Sequence, residues 1–357
     1  MSGYEHLNLS NNGAEVEIEG EQVEIDQDVY GAAVFSITYD FFEMFTGKEH
    51  DGLSIRTNVY RVSFVITLLF FNYVFQLGLL HFVYVYVAKP SVHEAQTLYR
   101  DYHRQTFRNG TFSWSLWDKW DWNRRDGLCG LAFSLFPFMY MILCLWWILM
   151  LTEVRKTDRL WRRFRQLRYT GDPNLMVVRG KGTDNEPNLI VGLTPFTRFF
   201  LYFVLLIPKY AIAILLWAVG TVWLVASDSF ADLILNSVSL EFIICIDEIL
   251  FEGLLPESVK KDIEQTRMVV QAEVLTGDPI LDTIEHEKKV KAGYHRSTFY
   301  LFFVLLGVYL YLTYGQELPF VGVFPGYKND AFCTKWWQEH TADTCTPGKE
   351  CFPINQN

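Results

Sequence analysis

Cysteine is scarce, six in 357 residues. A disulfide-dense scaffold is therefore excluded, and no Cys-x-x-Cys pair exists for zinc or thiol redox work. Glycine (23) and proline (12) are too few for a collagen-like or low-complexity chain. Positive charge is in the minority: 31 Lys and Arg face 41 Asp and Glu, a net charge of −10, which argues against nucleic-acid binding. The eight histidines are scattered. There is no His-Glu-x-x-His, and His93 with His103 do not make the clustered boxes of a membrane di-iron oxidase. A Gly-x-Ser-x-Gly elbow is missing. Arg179-Gly180-Lys181-Gly182-Thr183 lacks the upstream glycine of a phosphate loop. No catalytic residue, metal ligand or cofactor is assigned, and the chain is read as a non-enzyme. The first 28 residues lack the basic start and apolar core of a signal peptide, so the first span is expected to act as an uncleaved anchor.

What is abundant is apolar and aromatic character, 50% and 17% of residues, gathered into long runs. A bilayer core needs about 20 apolar helical residues. Val62–Ala88, Leu128–Leu151 and Phe199–Ala226 meet that length, and Ser297–Tyr314 is near its short end. A fifth run, Leu233–Leu255, carries Glu241, Asp247, Glu248 and Glu252. An acidic residue at a helix centre costs about 2.5–3.5 kcal/mol on insertion scales. The run is therefore either a span held by its neighbours or an amphipathic helix on the membrane surface. The expected fold is all-α and polytopic, with five transmembrane helices, or with four plus one interfacial helix.

Arg155, Lys156, Arg159, Arg162, Arg163, Arg165 and Arg168 crowd the exit of the second span, which places that loop in the cytoplasm. Five spans then put the amino terminus inside and the carboxy terminus outside. Cys129, Cys333, Cys345 and Cys351 fall on that oxidising side and are expected to form two disulfides, one of them joining Cys129 to the tail. Asn109 heads an Asn-Gly-Thr glycosylation sequon on the same side. The domain reading is an acidic cytoplasmic region 1–58, a helical membrane domain 59–316 and an extracytoplasmic Cys-containing tail 317–357. The membrane is a plasma membrane or an endomembrane.

Residues 1–51 hold twelve acidic residues and one lysine. Within them Glu15–Asp26 alternates apolar and acidic, the pattern of either a small β-hairpin around Gly20 or a solvated tail. Tyr30–Phe45 is apolar but short and is expected to be a helix on the cytoplasmic membrane face. Thr-Gly-Asp-Pro occurs at 170–173 and 276–279, where Gly171 and Gly277 suit helix C′ positions. The tryptophans of Phe112–Trp122 (Trp114, Trp117, Trp120, Trp122) are read as interfacial anchors.

The acidic run carries the most chemistry. At 100° per residue Glu241, Glu248 and Glu252 fall within about 40° of one another, a carboxylate seam that must face protein, water or an ion. Lys209, inside the third span beside Pro208, lies at about the same depth as Asp247 by the 1.5 Å helical rise. The two are expected to pair. The seam carboxylates are then left unpaired, with Glu248 deep in the protein. Asn72 and Gln76, at i and i+4 of the first span, are polar glue for neighbouring helices. The functional expectation is a cation channel or transporter, or a subunit of one, with Glu241, Glu248 and Glu252 along the pathway. The alternative is a non-catalytic scaffold or receptor-like subunit of a larger membrane complex. The partners implied are the lipid bilayer, a second copy or other membrane subunits, and a cation.

Asn236–Glu257 (NSVSLEFIICIDEILFEGLLPE) resembles a stretch of uncharacterised multi-pass proteins of unicellular eukaryotes, algae and their relatives. There a run of the form N-x-V-x-L-E-F-I-x-x-I-D-E-x-x-F-E recurs near the membrane. The resemblance covers about twenty residues and implies that the acidic helix is a family feature; it implies no activity.

Overall fold

The computed structural model describes residues 7–11, 14–18, 21–40, 52–171, 176–178, 187–270, 279–318, 321–325 and 333. They are mostly helical. Strands β1 (Leu7–Asn11) and β2 (Ala14–Ile18) pair antiparallel, and β3 (Glu21–Glu24) follows. Helix α1 (Val29–Phe35) widens into a π-helical turn, Ser36–Asp40. Helix α2 (Gly52–Phe82) continues through Val83–Ala88 into α3 (Lys89–Thr106). Then come β4 (Phe107–Arg108), β5 (Thr111–Phe112), a single turn at Trp114–Trp117, α4 (Trp122–Gly130) and α5 (Phe136–Gln166). Four short strands follow: β6 (Arg168–Tyr169), β7 (Val177–Val178), β8 (Asn188–Ile190) and β9 (Gly192–Leu193). Helix α6 (Pro195–Phe200) leads through a π-helical stretch, Leu201–Leu206, into α7 (Ile207–Val225). The chain continues with α8 (Phe230–Ile244), α9 (Ile246–Leu254), α10 (Glu257–Glu264), β10 (Thr266–Val270) and α11 (Pro279–Thr313).

Four helical stretches are long and apolar enough to cross a membrane: Thr57–Thr106, Phe136–Gln166, Pro195–Val225 and Val290–Thr313. Only 22–39% of their most apolar windows is buried inside the protein, so most of that surface is uncovered. Uncovered apolar area on this scale is compatible with an integral membrane protein. The fifth apolar run is two helices. Cys245, at φ −78° and ψ 2°, interrupts it between α8 and α9. Each piece is shorter than a bilayer crossing.

The chain divides into two compact units, Met1–Leu79 with Leu151–Ile214 and Phe242–Ala292, and Leu80–Met150 with Leu215–Glu241 and Gly293–Asn357. In the first unit every residue of α1 is buried. It packs into a core with Val65, Leu68 and Leu69 of α2, Leu160 and Phe164 of α5, and Phe251 of α9. The expected surface helix over Tyr30–Phe45 is thus an interior helix as far as Asp40; residues 41–45 lie outside the described residues. Gly31 permits this burial, because a Cβ there would stand 1.8 Å from the Asp26 carbonyl oxygen.

The same unit holds a four-stranded sheet in the order β3-β10-β8-β7, with β10 parallel to β8 and antiparallel to β3. An all-α chain was too simple an expectation. These strands are two to five residues long, too short for periodicity to show, and the partners of β10 are distant in sequence. The acidic alternation of Glu15–Asp26 does form strands, but not one hairpin about Gly20. β2 pairs with β1, placing Asn11 opposite Ala14, and β3 pairs with β10. The Thr-Gly-Asp-Pro copy at 170–173 does not end a helix, since Gly171 follows β6; in the other copy Pro279 is the first residue of α11, where its missing N–H costs nothing. Gly277 lies outside the described residues.

In the second unit Cys129 and Cys333 form a disulfide. Tyr102 is buried among Phe107, Phe112, Trp117 and Trp120, with ring centroids 5.5–6.3 Å away. Trp117 and Trp120 are therefore core residues, while Trp114 and Trp122 are exposed. Asn109 (φ 55°) and Gly110 (φ 77°) form the tight turn between β4 and β5. Two successive positive φ values match the right-handed twist of a hairpin, and Asn-Gly is the usual pair for them. Gly220 lies against Trp146, whose ring a Cβ would meet at 2.4 Å.

Candidate functional site

The first unit contains a buried charged centre. Its first member is Asp28, which ends an extended stretch (φ −141°, ψ 174°) and N-caps α1. One carboxylate oxygen accepts the Gly31 N–H at 2.6 Å. The other accepts from Lys209 Nζ at 2.9 Å. Lys209 is the third residue of α7, directly after Pro208. Asp247, the second residue of α9, places an oxygen 3.9 Å from the same Nζ. The three side chains are 10%, 10% and 8% exposed, so two carboxylates share one ammonium away from water. Tyr30 closes one side, its ring centroid 4.1 Å from Lys209 Nζ. An ammonium over an aromatic face is attracted by the ring quadrupole.

Uncharged polar groups extend the centre. Tyr30 Oη donates to Gln76 Oε1 at 3.3 Å and accepts from Asn72 Nδ2 at 3.1 Å. Gln76 Nε2 approaches the Ile243 and Ile244 carbonyls at 3.4 and 3.5 Å. Those carbonyls close α8 just before the Cys245 break, where a helix leaves its last C=O groups without intrahelical partners. A second backbone irregularity is served in the same way. Pro208 has no N–H for the Val204 carbonyl four residues back, and Tyr73 Oη donates to that oxygen at 2.6 Å.

Further charges lead outward. Lys156 of α5 bridges Glu153 at 2.8 Å and Glu248 at 3.2 Å. Side-chain exposure rises from 13% at Glu153 to 33% at Lys156 and 52% at Glu248. Elsewhere in this unit Arg61 binds Asp40 and also Asp262, the latter at 2.7 Å. Burial pushes the Asp40 carboxyl up to about 6, against the pull of Arg61.

Of the residues expected at the site, Lys209 and Asp247 come together, but Asp28 is the nearer partner of Lys209. Glu248 is half-exposed beside Lys156 rather than deep and unpaired. Glu252 is on the surface, 3.1 Å from Lys260, whose Nζ also caps the Glu252 carbonyl at 2.9 Å. Glu241 is exposed and belongs to the second unit. The 100° rule does not join Glu241 to the other two, because the helix is interrupted at Cys245. Of the expected cysteines, Cys129 and Cys333 are bonded and Cys345 and Cys351 lie outside the described residues. Asn109 is exposed.

Asp28 was missed in the sequence because it sits in an acidic stretch that reads as a solvated tail. A signal was present: Asp followed directly by an apolar run is an N-cap pattern. No family model, curated protein or solved structure matches the chain.

Proposed function

We propose that this chain is a polytopic integral membrane protein that moves a cation or regulates such movement. The observation that carries the reading is the buried Asp28–Lys209–Asp247 centre in a unit whose long helices turn uncovered apolar surface outward. Ionisable groups inside a membrane are costly to insert and mark ion or proton paths by default. Glu153, Lys156 and Glu248 supply the approach to that centre from the surface. Glu252 serves to hold Lys260, and Glu241 is given no role in the path.

In this reading α8 and α9 together make a fifth crossing. The outward residues Ile234, Leu235, Val238 and Phe242 face lipid, and the broken backbone at Cys245 is served by Gln76. The amino terminus is cytoplasmic, and the Cys129–Cys333 bond and Asn109 are extracytoplasmic. The resemblance of Asn236–Glu257 to multi-pass proteins of unicellular eukaryotes suits a shared role for the α8–α9 segment.

A second reading is a non-catalytic subunit of a larger membrane complex. The lysine partners of Glu248 and Glu252 favour it, since paired carboxylates are occupied structurally. Purified protein in proteoliposomes separates the two. Cation flux that falls in Asp247→Asn supports transport. An inert protein that co-purifies with a stoichiometric membrane partner supports the subunit reading.

A further inference from the structure

We propose that the centre formed by Asp28, Lys209 and Asp247 holds one exchangeable proton, resting on Asp247, and that H+ is the cation moved; the second half rests on the transport reading above.

The argument starts from charge. Two carboxylates and one ammonium, each 8–10% exposed, leave one negative charge in excess. A buried charge without a counter-ion is neutralised by taking up a proton in preference to staying ionised. The geometry chooses the carboxyl. Asp28 already accepts a hydrogen bond on each oxygen, from Gly31 N–H at 2.6 Å and from Lys209 Nζ at 2.9 Å, so neither oxygen is left to carry a proton of its own. Asp247 has Lys209 at 3.9 Å, beyond hydrogen-bond range.

The groups that act on Asp247 reinforce this. Asp28 precedes α1, Glu153 lies on α5 and Glu248 is the next residue on α9 itself; all three are carboxylates. Among these groups Lys209 of α7 is the cation, while Lys156 is bonded to Glu153 and Glu248. Tyr30 of α1 is within electrostatic reach, and its hydroxyl bonds to Gln76 and Asn72 of α2. The oxygens of Tyr30 and Gln76 and both oxygens of Asp28 are occupied within this network, and Asn72 Oδ1 alone among these groups is left without a hydrogen-bond partner. Among the described residues no group of three or more His, Cys, Asp or Glu side chains is placed to hold a metal ion, so the several oxygen ligands that a sodium or calcium ion needs are not gathered at Asp247. A proton needs only the one carboxylate. Glu153 and Glu248, increasingly exposed, give it a route to the surface.

The test is infrared spectroscopy of the full chain in lipid nanodiscs, joined to proton flux in proteoliposomes. At a pH above the Asp40 titration, the parent is expected to show one protonated-carboxyl C=O band that shifts in D2O. Asp247→Asn removes the band. Asp28→Asn also removes it, because Lys209 then balances the single remaining carboxylate. Asp158→Asn, on the exposed face of α5, retains it. A parent without the band at any pH where it stays folded, or a band that survives in both single variants, overturns the proton site. In the flux arm, a potassium diffusion potential is expected to drive dye-detected acidification in the parent and not in Asp247→Asn. Flux of sodium or potassium without proton flux overturns the proton assignment and leaves the transport reading standing. With the band intact, absence of flux for every ion overturns the transport reading and the claim that H+ is moved, while the proton site stands.

Discussion

Lys209 is where removal of one atom group has the largest expected effect. Its Nζ is held by Asp28 at 2.9 Å and approached by Asp247 at 3.9 Å. Breaking a buried pair from one side costs about 3–5 kcal/mol, because the remaining charge is left uncompensated. Lys209→Met should therefore lower the amount of protein recovered in membranes. Adding Asp28→Asn should restore more of it than adding Asp247→Asn, since Asp28 is the hydrogen-bonded partner. Equal rescue, or none, would show that the side chains do not form this centre. Asp40 gives a pH-dependent test at the same scale. Its carboxyl is raised by burial from its ordinary 3.8 to about 6. A raised acid stabilises the folded state below its unfolded value and loses that contribution as pH climbs through the folded one. Stability should decline between pH 4 and pH 6 on this account, by about 3 kcal/mol at most. Asp40→Asn should flatten that part of the profile in thermal melts of the detergent-solubilised protein. An unchanged profile would mean that Asp40 is not buried as described.

Helices here are shaped by breaks as much as by apolar periodicity. α7 has a proline at its second position, follows a π-helical stretch and leaves the Val204 carbonyl to Tyr73. Tyr73→Phe removes that donor and should cost about 1–3 kcal/mol, the penalty of a buried acceptor left unsatisfied. Pro208→Ala in the same background returns a backbone N–H to the helix and should recover part of the loss. Both can be read from melting temperatures. α1 makes the complementary point. Its seven residues are too few to be stable alone, so it exists through burial and through the Asp28 cap. Gly31→Ala puts a methyl group into the Asp26 carbonyl, so the backbone must move and α1 should be displaced. Reduced melting temperature and loss of the Asp28-dependent infrared change would report it.

At the scale of the molecule the proposed topology has a direct check. The basic stretch Arg155–Arg168 and the Cys129–Cys333 bond should lie on opposite sides of one membrane. Cysteine labelling with an impermeant reagent, using residues introduced near 160 and near 110 in sealed vesicles, reads this. Labelling of both from the same side would remove the orientation. Non-reducing peptide mapping should recover Cys129 joined to Cys333. Recovery of both as free thiols would remove the oxidising-side assignment.

The long apolar runs, the basic stretch that follows the second of them, and Lys209 and Asp247 within such runs were all legible in the sequence. Each is a local property: bilayer thickness, charge beside a span and polarity within a span are read over about 20 consecutive residues. That Lys209 and Asp247 approach each other was expected from helical rise along antiparallel neighbours. The sheet order, the burial of α1 and the place of Asp28 were decided by tertiary structure. Asp28 and Lys209 are 181 residues apart, and no local pattern links them. The acidic composition around Asp28 favoured a solvated tail, and only packing against α2, α5 and α9 reversed it. The seam of Glu241, Glu248 and Glu252 failed for the same kind of reason. Angular arithmetic assumes one unbroken helix, and the turn at Cys245, supported by Gln76 from a segment 167 residues away, ends that assumption.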